Sequence, residues 1–473
     1  MKFYLSFILL LLSFLSCEED SKKADVNYAY IGGEIINPNT NYIIISKDKT
    51  IIDTIKLDGR NRFLYKVKNL EEGLHTFRHG GEFQLILLEP ADSVLFRLNT
   101  LDFDESLVFT GEGDKKNNYL INDFLENEKE ERDIVRLCQL NPESYQNHVD
   151  SLKVKRIRTF EKFKKRNEFS PLFEKIAMAN INYSYYSNKE VYPFVHYGKN
   201  KAAILESLPK DFYAFRQNIN YNDEFLSSYH NYNSFLRRHF SNLSLRTHDK
   251  HATAKAFNRK SLCYNLDRLN LIDSLVTNAT IKNDLLYHFT IKYLSISKNE
   301  EFNNAILKSY LDKTTSEDGK KIMTRYNASI NRLKDGSGLP PIRLVDYNNK
   351  DLEIGSLIKK PTVITFWSNT YYEHFKENHY KLKELKEKYP EVTFVSINVD
   401  EYNLNKSKKM LEGNQFDKTH EYQFKHPKEA SEVLAVHPMT KTIIIDKKKK
   451  IVNSNTNIFS IYFEKQLLGL INR

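Results

Sequence analysis

Apolar residues are spaced in three different ways along the chain. From Tyr28 to Thr110 they come in short, partly alternating runs, YAYIGGEI, YIIIS, TIIDTIKL, FLYKV, FQLILLE, SVLFRL and SLVFTG. Asn37-Pro38-Asn39, Asp58-Gly59 and Glu72-Gly73 separate several of them. Period-two alternation bounded by turn formers predicts strands, here an antiparallel β domain over 28–113. From Asp114 the spacing becomes i, i+3, i+4, i+7, as in NNYLINDFLENEKEERDIVRL, SYQNHVDSLKVKRIRTFEKF and EFNNAILKSYL. That period predicts a helical domain over 114–335, with about eight to ten helices at ordinary helix lengths.

Gly336-Ser337-Gly338-Leu339-Pro340-Pro341 reads as a linker. After it, strand and helix patterns alternate: PTVITFWS, then TYYEHFKENHYKLKELKEKYP, then VTFVSINVD. A strand, a helix and a second strand at this spacing demand a crossover and a parallel pair. The segment 336–473 is therefore expected to be an α/β domain, and a length of 473 residues fits about three domains.

Composition narrows the class of protein. A hydrophobic fraction of 40% and an aromatic fraction of 13% are those of a folded chain. The net charge of +10 comes with 61 acidic residues interleaved among 71 basic ones, which reads as a solvated surface rather than a nucleic-acid face. The basic run from Lys153 through Arg166 lies on a charged helix and is read the same way. Gly111-Glu112-Gly113 lacks the spacing and lysine of a phosphate loop and reads as a turn. With no paired carboxylates, Ser-His-Asp set or nucleotide loop in view, no cofactor is expected. The tyrosines of INYSYYSNKEVYPFVHYG are compatible with a stacking surface for a glycan or peptide, or with amphipathic packing at a bundle edge.

The N-terminus bears on compartment. Lys2 precedes an apolar run, Phe3–Leu15, too short to span a bilayer and of signal-peptide length. Its end, Leu15-Ser16-Cys17, resembles a bacterial lipobox, with Phe14 where Leu or Val is usual. That resemblance implies acylation at Cys17, a signal peptide over 1–17, a tether over 18–27 and a membrane partner through the lipid. The acidic residues Glu18, Glu19 and Asp20 also resemble a surface-export signal of Bacteroidetes lipoproteins, so the periplasmic and cell-surface orientations of an outer-membrane lipoprotein both stay open. Cys138 and Cys263 then remain, either as a disulfide in an oxidising envelope or as two isolated buried thiols.

Candidate chemistry concentrates in 361–374, PTVITFWSNTYYEH. This segment resembles the first core strand and helix start of the membrane-anchored thioredoxin-like (redoxin) proteins of Bacteroidetes. The order of runs before Thr110 resembles the β-sandwich that precedes such domains. The resemblance implies a multidomain α+β chain: an N-terminal antiparallel β-sandwich, a helical middle and a C-terminal α/β thioredoxin-like fold. It also implies thiol–disulfide exchange in the envelope. The residues speak against that activity, because Tyr371 and His374 stand where the two cysteines of Cys-x-x-Cys belong and the last third has no cysteine. A thiolate at a helix N-terminus is the attacking group in such exchange, and neither a phenol nor an imidazole replaces it.

In the family a buried acid two residues before Trp367 shuttles protons; here that position is Thr365. Pro438 falls at the family's cis-proline, next to His437. The expectation is a redox-inactive binding module in which Trp367, Tyr371, His374, His437 and Pro438 form a groove for a protein or peptide of the envelope. Two alternatives stay open: an oxidoreductase-related protein acting through Cys138 or Cys263, and a metal site built on His374, His437 and Tyr371. His379 leaves the helix face of His374, while His420 and His426 fall in a poorly patterned loop.

Overall fold

The computed structural model describes residues 27–48, 50–252 and 256–471. The expected signal peptide with Cys17, and the tether up to residue 26, lie outside them.

The first domain has eight strands: β1 (Tyr28–Ile36), β2 (Tyr42–Lys47), β3 (Thr50–Lys56), β4 (Arg62–Lys68), β5 (Gly73–His79), β6 (Glu82–Leu88), β7 (Ser93–Asn99) and β8 (Val108–Glu112). They form two four-stranded sheets, ordered β4-β1-β7-β8 and β3-β2-β5-β6. Ile31, Phe63, Phe96 and Phe109 of one meet Ile43, Ile45, Phe77 and Ile86 of the other in a single core. Phe77 stacks on Phe96 at 4.4 Å between centroids. The expected sandwich is present, with one departure: β1 and β7 pair in parallel inside an otherwise antiparallel arrangement.

Strand β5 was not among the predicted runs. Its inward residues are Gly73, His75, Phe77 and His79, so two imidazoles occupy positions where an apolar alternation would have shown. Both find partners inside the sandwich: His75 Nδ1 lies 3.0 Å from the Gly73 carbonyl, and His79 accepts from the Asn39 amide through Nε2 at 3.0 Å. Burial holds both imidazoles below the usual histidine range.

Nine α-helices follow among the described residues: α1 (Asp114–Leu137), α2 (Pro142–Lys164), α3 (Pro171–Val195), α4 (Lys201–Glu206), α5 (His230–Asp249), α6 (Leu262–Leu275), α7 (Ala279–Leu294), α8 (Glu300–Lys313) and α9 (Glu317–Arg332). The first turn of α1 closes the open edges of both sandwich sheets. The side chain of Asn117 pairs with the amide and carbonyl of Leu87 on β6, and that of Asn118 with those of Phe109 on β8. Sheet edges left bare invite pairing with other chains, and two consecutive asparagines cover them here. Lys116, buried beside them, pairs with Glu89 at 2.6 Å and Asp92 at 2.7 Å.

Most of the tyrosine-rich stretch lies on α3, and its tyrosines pack inward except Tyr197, which is exposed beyond the helix end. Tyr186 stacks on Phe215 at 4.5 Å, and Tyr183 meets Tyr232 and Phe235. Within the basic run, Arg156 turns inward to Asp123 and Glu130 rather than to solvent. Its neighbours at 154, 155 and 158 stay exposed.

The last third holds a seven-stranded sheet, β10-β9-β13-β12-β11-β14-β15, with β9 (Arg343–Asp346), β10 (Asp351–Glu353), β11 (Thr362–Trp367), β12 (Thr393–Asn398), β13 (Glu421–Phe424), β14 (Thr442–Ile445) and β15 (Ile451–Thr456). Strands β11, β12 and β13 run parallel, and β14 returns antiparallel to β11. Four helices complete it: α10 (Tyr372–Lys388), α11 (Leu404–Gly413), α12 (Pro427–Val433) and α13 (Phe463–Ile471). Val363, Leu382, Leu385, Phe463 and Leu467 form the core on one face. On the opposite face Ile364, Phe366, Val395 and Ile443 share one continuous core with Phe289, Tyr310 and Tyr326 of the helical middle. The expected linker is itself part of the sheet: the Gly336 amide donates to Ile451 and the Ile451 amide to Ser337.

Candidate functional site

Strand β11 is buried on both faces, as a central parallel strand must be. It delivers Trp367, fully buried, to its C-terminal end. The chain then turns through Ser368 and Asn369, both held by Asp400: the Ser368 hydroxyl donates to one carboxylate oxygen and the Asn369 amide to the other. Tyr371 occupies the N-cap position of α10 without a side-chain capping bond and is exposed. The place where the family resemblance puts a thiolate thus carries a phenol open to solvent.

His374, one turn along, sits against Phe459 with 6.2 Å between ring centroids. Both of its ring nitrogens are buried without a hydrogen-bond partner. Burial, with a smaller contribution from His379, depresses its pKa. The loop carrying Phe459 also presents Ile461 and Tyr462 to solvent.

The His437–Pro438 peptide is cis. Both backbone groups of His437 are already engaged within the chain. Its amide donates to the Ala435 carbonyl at 2.8 Å, and its carbonyl accepts from the Tyr326 hydroxyl of α9 at 3.1 Å. Lys441, immediately downstream, is 3% exposed and gives its ammonium to the carbonyls of Leu434 and Ala435, each at 2.9 Å. Burial pulls its pKa down to about 7.

Among the described residues no hydrogen bond or ring contact joins His374 to His437. The first lies against Phe459 and the second against Tyr326, 6.3 Å between centroids. Among the described residues, no third imidazole, thiolate or carboxylate completes a metal-binding set around them. Thr365 accepts a 3.4 Å hydrogen bond from Asn378 of α10.

A buried acid is nonetheless present, from a strand the sequence pattern hid. Glu421, 2% exposed, reaches under the site from β13 and accepts from the Trp367 indole at 3.2 Å. His379 Nε2 lies 3.4 Å from the same oxygen, while its Nδ1 is 2.7 Å from the Phe375 carbonyl. His379 thus belongs to this interior network and not to the surface around His374. The segment around Glu421 had read as an unpatterned loop because EYQF carries two polar residues in four fully buried positions. Gln423 is accommodated by donating to Asn398 and to the carbonyls of Asp400 and Glu401.

The β-sandwich also touches the site. A Cβ added at Gly81, in the β5–β6 turn, would stand 2.4 Å from the Tyr372 Cβ, so the turn lies directly on the first residue of α10. Glu82 beside it feels Glu373 and Lys376 electrostatically.

The two remaining thiols are both free. Cys138 is buried; Cys263 is exposed, contrary to the paired or doubly buried expectation, because it is the second residue of α6 and faces solvent.

No protein-family model matches the chain, and no curated protein matches it. Among solved structures, a thioredoxin-like protein from Bacteroides caccae aligns at 13% identity over 60% of this chain and 92% of its own, with a TM-score of 0.30. The thioredoxin domain of a thiol-disulfide oxidoreductase from Bacteroides vulgatus aligns at 20% identity over 29% of this chain and 98% of its own, with a TM-score of 0.24. The last third is thioredoxin-like by its own topology: parallel β11 and β12, antiparallel β14 and β15, a helix starting just after β11 and a cis-proline before β14.

Proposed function

We propose that this chain is an envelope lipoprotein, anchored through Cys17, whose thioredoxin-like domain binds an extended segment of a partner protein and does not exchange disulfides. The observation that carries this reading is the pair of residues at the start of α10: an exposed Tyr371 and a partnerless His374, in a domain without cysteine. Exchange needs a thiolate to attack sulfur and a second thiol to resolve the mixed disulfide. A solvent-facing phenol at the start of α10, one turn before the His374 that lies against Phe459, suits docking instead, since aromatic side chains supply contact area at low entropic cost. A partner strand that pairs with the His437 carbonyl either shares it with the Tyr326 hydroxyl or replaces that hydroxyl.

Two measurements on the full chain test this. Insulin-disulfide reduction should stay at background, and a photo-crosslinking residue at position 371 should capture a discrete envelope protein. Catalytic insulin reduction that disappears in Cys263→Ser, or the absence of any adduct from position 371 in intact cells, would overturn it.

A further inference from the structure

In the helical middle, far along the chain from the groove, four side chains with metal-ligating atoms converge. His248 and His251 come from the last turn of α5 and the residues just after it; Cys263 and Asp267 are one turn apart on α6. One ligand atom from each lies within 4.8 Å of all the others. The His251 ring is 3.5 Å from Cys263 Sγ through Nδ1 and 3.0 Å from Asp267 Oδ2 through Nε2. His248 Nδ1 is 3.6 Å and Cys263 Sγ 3.9 Å from that same oxygen.

We propose that His248, His251, Cys263 and Asp267 form a binding site for a zinc-class divalent cation that clips α5 to α6. Metal-to-ligand bonds of about 2.0–2.3 Å at tetrahedral angles place neighbouring donor atoms roughly 3.3–3.6 Å apart. With His251 offering Nε2, the three separations from Asp267 Oδ2, at 3.0 Å to His251, 3.6 Å to His248 Nδ1 and 3.9 Å to Cys263 Sγ, approach those edges before any ion draws the groups together. Two imidazoles, a thiolate and a carboxylate are a donor set that favours zinc over magnesium or calcium, which take oxygen ligands. The spacing is what helices allow: positions i and i+4 on α6 put Cys263 and Asp267 on one face.

A second observation points the same way. His248 Nδ1 is buried without a hydrogen-bond partner and is turned to Asp267, while its Nε2 lies 3.5 Å from the Ser261 hydroxyl. That is the division of labour of a ligating histidine, one nitrogen for the metal and the other for an outer partner that orients the ring. With four protein donors the site is closed, so its role is structural. The helices it joins are separated by a connection of some dozen residues that an ion would cross-link.

The test uses the full chain carrying Cys17→Ser, titrated with Co²⁺ and then Zn²⁺. We expect one ion per chain, a thiolate-to-cobalt charge-transfer band with the visible bands of tetrahedral cobalt, and loss of both when zinc displaces cobalt. Cys263→Ser should abolish the charge-transfer band and weaken binding by at least about tenfold, the lower end of what losing even an outer partner costs. Asp267→Asn, which leaves the thiol in place, should weaken binding while keeping the band, and circular dichroism confirms that each variant is folded. A double His374→Ala/His437→Ala variant should bind as the parent does. No stoichiometric uptake by the parent, uptake indifferent to Cys263→Ser, or uptake lost only in the His374/His437 variant would each overturn the proposal.

Discussion

The Tyr326 hydroxyl donates to the His437 carbonyl, so a residue of the helical middle occupies the backbone group beside the cis-proline. Tyr326→Phe removes that donor and leaves the ring in place. Stability should fall by about 1 kcal/mol, the net worth of one neutral hydrogen bond, as read by urea unfolding. Under the binding proposal, crosslinking from position 371 should rise, because the carbonyl is released. An unchanged yield would separate the groove from the partner.

Gly81 and Tyr372 make the corresponding contact from the sandwich side. A valine at 81 must push Tyr372 or the turn aside, since a Cβ there falls at 2.4 Å. Gly81→Val should cost about 1–3 kcal/mol, as overpacking of a tight contact does. Amide exchange in the first turn of α10 should accelerate, while strands β1 and β7 keep their protection.

Lys441 gives a pH signature. In the unfolded chain it keeps its proton up to its ordinary pKa near 10.5, whereas burial lets the folded chain release it at about 7. Between those values the unfolded state binds more protons, so stability rises with pH. From pH 7 to 9 the gain from this group is about 2 kcal/mol, at about 1.4 kcal/mol per pH unit for one proton. Denaturant midpoints should show that rise, and Lys441→Met should flatten it.

Trp367 is the chain's single tryptophan, and its indole donates to the buried Glu421. Its fluorescence therefore reports directly on the buried network beneath the start of α10. Glu421→Leu leaves the indole N–H without its acceptor and should destabilise by about 1–3 kcal/mol. Glu421→Gln retains an acceptor oxygen and should cost less. Equal losses in fluorescence-monitored unfolding would mean that the carboxylate's charge, and not its hydrogen bond to Trp367, holds the site together.

Where burial and hydrophobicity coincide, the elements were legible in the sequence. PTVITFWS and VTFVSINVD are apolar runs and became β11 and β12. The i, i+3, i+4 spacing anticipated the helical middle. Where buried positions carry polar residues, the pattern failed. β5 hides two histidines on its inner face, and β13 hides Glu421 and Gln423. Most of the carbonyls, amides and indole that pair with these groups lie far away in sequence, where a local pattern does not show them. The same holds for the candidate sites. Tyr371 and His374 were found by their position after Trp367, but Glu421 was not. Nor was the His248, His251, Cys263 and Asp267 cluster, whose donors are paired only by the way α5 and α6 fold back on each other.

The core that Ile364 and Phe366 share with Tyr310 and Tyr326 carries a consequence for modularity. A fragment beginning at Gly336 would keep the whole seven-stranded sheet, yet it would bare the part of its apolar face that packs against the helices before it. This thioredoxin-like unit is not a portable cassette. Its core is completed by the helices before it, so its stability is tied to theirs.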